Sequence, residues 1–169
     1  MSLETLAWLF TLGVLLHNAE EALLLPRRPL RLGPWRARAA PREFALAALI
    51  FSLLLLGLTW QALRAGAGSA WAYAYAGCVF AMLVNVLLPH GLGTLLLRRY
   101  LPGTATALLL NLPLGLFFLR RALAKGFVQA ATLRWAAPLM ALLVLASLPV
   151  MFAAGRLILK HAGRKRLTP

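Results

Sequence analysis

Acidic side chains are scarce in this sequence of 169 residues, which has four Asp and Glu residues against eighteen Lys and Arg residues. Only 13% of the residues are charged, 62% are hydrophobic and the mean hydropathy is +0.79, values that exclude an ordinary soluble domain. The net charge of +14 would suit nucleic acid if it covered a folded surface. The arginines instead fall between apolar runs, so we expect a polytopic membrane protein with no nucleic-acid partner.

Cysteine is also scarce, since Cys78 is the single one and lies in an apolar run. An intramolecular disulfide is therefore excluded. The first apolar run has no positive charge ahead of it and carries Glu4, while arginines crowd its far end. A cleaved secretory signal has the opposite order, so we expect a retained first helix.

Long apolar runs dominate what remains. A membrane-spanning helix needs about 20 mostly apolar residues, and five stretches meet this requirement. The sequence predicts one all-α domain over residues 1–169, a five-helix transmembrane bundle with spans at about 4–25, 43–63, 71–96, 104–120 and 134–158.

The distribution of Lys and Arg predicts the orientation, because cytoplasmic loops carry an excess of these residues. The first and third connections and the tail hold thirteen of them, and the other two connections hold five. This places the amino terminus outside and the carboxyl terminus in the cytoplasm. The connection from Arg120 to Arg134 fits this scheme poorly, because its basic residues would lie outside.

The polar residues of the first span are the main candidates for chemistry. His17, Glu20 and Glu21 lie at i, i+3 and i+4 and can share one helix face. Ionisable groups at membrane depth are costly to bury, and their default interpretation is a functional site. Asn85 and His90 in the third span flank Pro89, and a bend there could bring both side chains toward the first helix. We predict catalytic roles for these five residues.

Two chemistries suit this group, and a structural role remains a third reading. His17, Glu20, Glu21 and His90 match the ligand types of a site for one divalent metal ion such as Zn, Fe or Mn. Alternatively, a buried protonated carboxyl can deliver a proton beside a histidine that serves as its partner or base, without any metal. In the structural reading the same side chains only join helices by hydrogen bonds.

A second informative stretch lies at the end of the third span. Arg98 and Arg99 can hold an anionic head group by bidentate hydrogen bonds, or they can simply mark the cytoplasmic side. Asn111 lies about 10 Å inside the cytoplasmic end of the fourth span, the depth also predicted for Glu21 and His90. We predict that Arg98, Arg99, Tyr100 and Asn111 contact the substrate.

These residues resemble a known family. The run His17-Asn18-Ala19-Glu20-Glu21, followed by Asn85, His90, Arg99-Tyr100-Leu101-Pro102-Gly103-Thr104 and Pro113, is similar to the small bacterial membrane proteins named for their HXXEE motif. The resemblance covers most of spans one, three and four. The function of that family is unassigned, so the resemblance supports the site residues without supplying a reaction. The chain departs from the family pattern in the spacing of Asn85 and His90, which have Pro89 between them. If the proline moved the His90 imidazole off the first helix, His90 would not serve as a metal ligand.

We therefore predict an intramembrane enzyme of the bacterial inner membrane that acts on a lipid or isoprenoid, as an isomerase, a cyclase or a metal-dependent enzyme. Sterol isomerases, which place histidine and glutamates in an apolar helical cavity, offer an analogy only. The expected partners are membrane lipids and a hydrophobic small molecule. The alternatives are a small proton-coupled transporter and a structural or partner-binding subunit.

Overall fold

The computed structural model describes residues 1–25 and 41–165. This part of the chain forms five helices and contains no β-strand. They are α1 (Leu3–Leu24), α2 (Pro41–Ala65), α3 (Ala70–Leu97), α4 (Thr104–Ala124) and α5 (Ala130–Lys165). The all-α class and the five helical stretches are thus as predicted. The arginine-rich first connection and the last four residues lie outside the described ranges.

Four of these helices are long and apolar enough to cross a membrane, namely α2, α3, α4 and the Ala130–Ala162 part of α5. The first helix does not reach that hydropathy because it carries the polar group of His17, Asn18, Glu20 and Glu21. The interior of the bundle nevertheless includes one face of α1, where Phe10 and Val14 are fully buried. The fold therefore has four membrane-like helices and a fifth, more polar helix packed among them.

Local sequence explains where two of the helices begin. Ser2 caps α1 by accepting a hydrogen bond from the Thr5 amide at 3.0 Å, and Ser69 caps α3 by accepting from the Ala72 amide at 3.1 Å. A serine side chain in this position satisfies one of the amides that the first helical turn leaves without a partner. Gly68, with φ of +74°, turns the chain into α3.

Aromatic side chains hold α1, α3 and α4 together in the core. The ring of Tyr75 on α3 makes edge-to-face contacts with Phe10 on α1 and Phe118 on α4, at centroid distances of 6.5 and 5.0 Å. Its hydroxyl donates a 2.7 Å hydrogen bond to the Ala7 carbonyl and lies 3.1 Å from the Thr11 hydroxyl. The buried phenol is therefore satisfied, as burial of a polar group requires.

Both α3 and α4 contain a π-helical segment, at Val86–Leu92 and Ala107–Asn111 respectively. Pro89 lies inside the first segment and has no amide hydrogen to donate, which disfavours regular α-helix there. Hydrogen bonds in a π-helix join residues five apart, and such segments are frequent at functional sites. The predicted irregularity at Pro89 is thus present as a widened turn.

Candidate functional site

Two histidines and one carboxylate meet where the end of α1 contacts the π-helical segment of α3. His17 Nε2 lies 3.8 Å from Glu21 Oε2, and His90 Nε2 lies 3.3 Å from Glu21 Oε1. The two imidazole rings are perpendicular, with centroids 4.7 Å apart. The histidine side chains are 1% and 5% exposed, whereas that of Glu21 is 20% exposed. We call these three side chains the His/Glu cluster, and it reaches the protein surface through Glu21.

The backbone around the cluster determines which nitrogen of His17 carries a proton. Its Nδ1 atom lies 3.0 Å from the Gly103 carbonyl oxygen, which can only accept a hydrogen bond. In the neutral ring Nδ1 is therefore the donor, and Nε2 carries the lone pair that can accept a hydrogen bond. Nε2 accepts a long hydrogen bond of 3.4 Å from the Asn85 amide and faces Glu21. His17 thus presents a basic nitrogen to the cluster.

The widened turn in α3 explains how Asn85 and His90 both reach His17. The two residues are five apart, which places them on different faces of an α-helix but on nearly the same face where the bonds join residues five apart. Asn85 immediately precedes the π-helical segment and His90 lies within it. Pro89 therefore does not carry the imidazole away from the first helix.

The structure separates the two adjacent glutamates. Glu20 is not part of the cluster and accepts hydrogen bonds from the Gly103 amide at 3.0 Å, the Thr106 amide at 3.1 Å and the Thr106 hydroxyl at 2.7 Å, with a further bond from the Tyr100 hydroxyl. These amides belong to the start of α4, where a carboxylate is favoured by the free N–H groups and the helix dipole. The side chains of neighbouring residues on a helix project about 100° apart, so the carboxylates of Glu20 and Glu21 can contact different partners.

Gly103 is the residue of this region whose importance the sequence did not reveal. Its φ of +88° lies in the left-handed region, and a Cβ atom placed on it would lie 2.8 Å from side-chain carbons of Glu21, His17 and His90. The turn backbone therefore packs directly against all three members of the cluster. The Pro-Gly pair before a helix signalled a turn, but nothing in the sequence indicated what the turn covers.

The residues predicted to contact substrate lie in three different settings. Arg98 and Arg99 are exposed, and no described carboxylate lies within ion-pair distance of either one. Tyr100 binds Glu20. Asn111 is fully buried one turn of α1 away from the cluster, where its Oδ1 atom would lie 3.0 Å from a Cβ on Gly13. Neither polar atom of its amide has a hydrogen-bond partner among the described residues.

Asn18 and Ser52 form a polar contact that the sequence did not predict. Asn18 faces away from the His/Glu cluster, and its amide donates a 2.9 Å hydrogen bond to the Ser52 hydroxyl on α2. Both side chains are buried. The polar residues of the motif thus hold α1 against α2 and α4 as well as forming the cluster.

Four helices long and apolar enough to cross a membrane indicate a small polytopic membrane protein, and comparison with known proteins places it in a family. The family described as "Protein of unknown function with HXXEE motif" matches residues 8–118, and the chain belongs to it. His17, Glu20 and Glu21 are the residues of the motif.

The chain is also 25% identical over 146 residues to the uncharacterized protein YrkK of Bacillus subtilis (strain 168), covering 86% of this chain and 92% of that protein. No solved structure matches the chain. The match to the family model confirms the resemblance that the motif predicted.

Proposed function

We propose that this protein is an intramembrane enzyme whose reaction centre is the His/Glu cluster. The observation that carries the proposal is the position of the Glu21 carboxylate between two imidazole Nε2 atoms, at 3.8 and 3.3 Å. Glu20 is engaged by the start of α4, so Glu21 is the acidic group available for chemistry. A carboxyl and imidazoles at this depth are costly to bury, and such groups in membrane helices usually serve a function.

The cluster can move protons on a substrate. A protonated Glu21 donates its proton to one substrate atom, and the Nε2 lone pair of His17 removes a proton from another, so that the substrate keeps its charge and composition. This pair suits migration of a double bond in an isoprenoid or another lipid. Asn85 and His90 border the same space and would orient the substrate.

A hydrophobic substrate is favoured by the surroundings of the cluster. Leu87, Leu88 and Leu92 in the turn that carries His90 are 59%, 59% and 44% exposed, although α3 is apolar enough to cross a membrane. In a bilayer this surface contacts lipid, because exposed leucine is favourable there. A substrate dissolved in the membrane would therefore reach the cluster without crossing water. Arg98 and Arg99, both exposed, would contact an anionic head group.

The proposal includes a location and an orientation. The four membrane-like helices and the relative from Bacillus subtilis support the cytoplasmic membrane of a bacterium. The excess of basic residues in the first and third connections and the tail supports an external amino terminus and a cytoplasmic carboxyl terminus, with α1 as the fifth span.

The proposal is tested by comparing membrane lipids. Cells that lack the chromosomal gene are supplied with the wild-type protein, with Glu21→Gln or with Glu4→Gln at equal membrane levels, and their lipid extracts are compared by mass spectrometry. Glu4 is exposed at the far end of the same helix and serves as the matched control. We expect at least one lipid to change in amount with the wild type and with Glu4→Gln, and not with Glu21→Gln.

A structural or partner-binding subunit would give a different result. Replacement of Glu21 by the isosteric glutamine would then leave the lipid profile of the wild type unchanged at equal protein level. That outcome would refute the enzymatic proposal.

A further inference from the structure

We infer that His17 Nε2, Glu21 and His90 Nε2 bind one divalent transition-metal ion and leave a coordination position open. The inference rests on the proposed function, because it concerns the same reaction centre. It replaces the acid/base pair with metal-assisted chemistry, since the ion would occupy the Glu21 carboxylate and the His17 Nε2 atom. The donor atoms of these three residues all lie within 4.8 Å of one another. Donor atoms about 2.1 Å from a tetrahedral Zn²⁺ are about 3.4 Å apart. This is close to the 3.8 Å between His17 Nε2 and Glu21 Oε2 and the 3.3 Å between His90 Nε2 and Glu21 Oε1.

His17 is oriented as a metal ligand is. Histidines that bind metals usually donate their other ring N–H to a carboxylate or a backbone carbonyl, which fixes the tautomer and the ring plane. The Gly103 carbonyl accepts this hydrogen bond from Nδ1 at 3.0 Å. The lone pair of Nε2 is thereby directed into the cluster.

His90 provides the second and independent observation. Its side chain is 5% exposed, and although the Pro102 backbone lies beside the ring, neither ring nitrogen makes a hydrogen bond of regular geometry among the described residues. Burying a polar group without a regular hydrogen bond is costly. The Nε2 atom lies 3.3 Å from Glu21 Oε1 without forming a hydrogen bond. A cation bound by both groups satisfies this nitrogen and the adjacent carboxylate at once.

The ligand set suggests which ion binds and how. Two histidines and one glutamate form a known set for catalytic zinc, with the fourth position taken by water or substrate. The Gly103 backbone closes one side of the cluster, since a Cβ there would lie 2.8 Å from carbons of all three ligand side chains. Glu21 is the partly exposed member, so the open position would face the surface near it.

Glu20 is excluded from the ligand set by its own contacts. Both of its carboxylate oxygens accept hydrogen bonds from Gly103 and Thr106 at the start of α4. The structure therefore distinguishes between two adjacent glutamates that the sequence left equivalent as ligands.

The inference is tested with Zn²⁺ itself. The full chain is purified in mild detergent, stripped with a chelator, and titrated with Zn²⁺ while bound metal is measured by mass spectrometry. We expect about one ion per wild-type chain and at least a tenfold weaker affinity in Glu21→Gln and His90→Gln. His161→Gln is the control, because His161 is an exposed histidine of α5 outside the cluster, and it should bind as the wild type does.

A second measurement uses only the wild-type protein, so it does not depend on whether the variants fold. Saturating Zn²⁺ should raise its melting temperature, because a ligand that binds only the folded state stabilises it. Binding no stronger than that of His90→Gln, together with an unchanged melting temperature, would overturn the metal site. If Glu21→Gln still lost the lipid change in that case, the metal-free acid/base enzyme would stand.

Discussion

His90 Nε2 on α3 lies 3.3 Å from Glu21 Oε1 on α1, and this contact joins the two halves of the candidate site. It depends on the π-helical segment of α3, because that widened turn carries His90 toward the first helix. A proline at position 89 thus has a positive role, since it favours the irregular turn that forms the site.

Glu20 and Glu21 are expected to respond differently to replacement by glutamine. Glu20→Gln removes the charge that the start of α4 and Tyr100 hold by four hydrogen bonds, and should lower the free energy of unfolding by about 1–3 kcal/mol. Glu21→Gln removes no such network and should change stability less, while abolishing the lipid change and metal binding. Thermal unfolding in detergent measures the first effect. A larger loss of stability in Glu21→Gln would contradict the assignment.

Gly103→Ala should disrupt the cluster by direct contact. The added methyl group would lie 2.8 Å from Glu21, His17 and His90, and the backbone would be held at a φ of +88°. Gly126→Ala is the control, because Gly126 also has a positive φ, of +66°, but nothing within 4 Å of an added Cβ. We expect about 1–2 kcal/mol of destabilisation for Gly126→Ala and clearly more for Gly103→Ala, with loss of Zn²⁺ binding in the latter only. Equal losses of stability in the two variants would show that the close contact is unimportant.

Asn111→Ala should separate function from stability. The side chain is fully buried and neither of its polar atoms has a hydrogen-bond partner among the described residues, so its removal gives up no such hydrogen bond. We expect the free energy of unfolding to change by less than about 1 kcal/mol. If Asn111 contacts the substrate as predicted, the lipid change will shrink at unaltered protein level. A large loss of stability with an intact lipid change would instead assign Asn111 a purely structural role.

The orientation is testable with reporters fused to the carboxyl terminus. The excess of basic residues on one side predicts that this terminus is cytoplasmic. A green fluorescent protein fusion should then fluoresce and an alkaline phosphatase fusion should be inactive. The reverse pattern would contradict the orientation.

Much of the fold could be read from the sequence because a membrane restricts the chain to long apolar helices. The predicted spans at 71–96 and 104–120 lie within α3 and α4. The hydropathy of the first helix was the exception, since the motif makes it too polar to rank with the other four. The burial of α1 against the other helices results from tertiary packing, which a local average of hydropathy does not report.

The sequence indicated only in part which residues meet in the cluster, and it did not indicate their arrangement. Helical spacing placed His17, Glu20 and Glu21 on one side of α1, and Asn85 and His90 were selected as polar residues of an apolar span that flank Pro89. Besides the role of Gly103 and the Asn18–Ser52 contact, the sequence did not reveal two features of the arrangement. The π-helical turn has more residues per turn than an α-helix, so the usual spacing rules do not predict which residues share a face there. The different contacts of Glu20 and Glu21 depend on where the start of α4 lies, which the sequence does not show.

The most direct test of the account is an experimental density map of the protein in a lipid bilayer, at a resolution that shows side chains. The account predicts that Glu21 lies between His17 and His90, with the Glu21 oxygens within about 4 Å of both Nε2 atoms. A map that places Glu21 among the lipid head groups, away from His90, would contradict the candidate site and every function proposed for it.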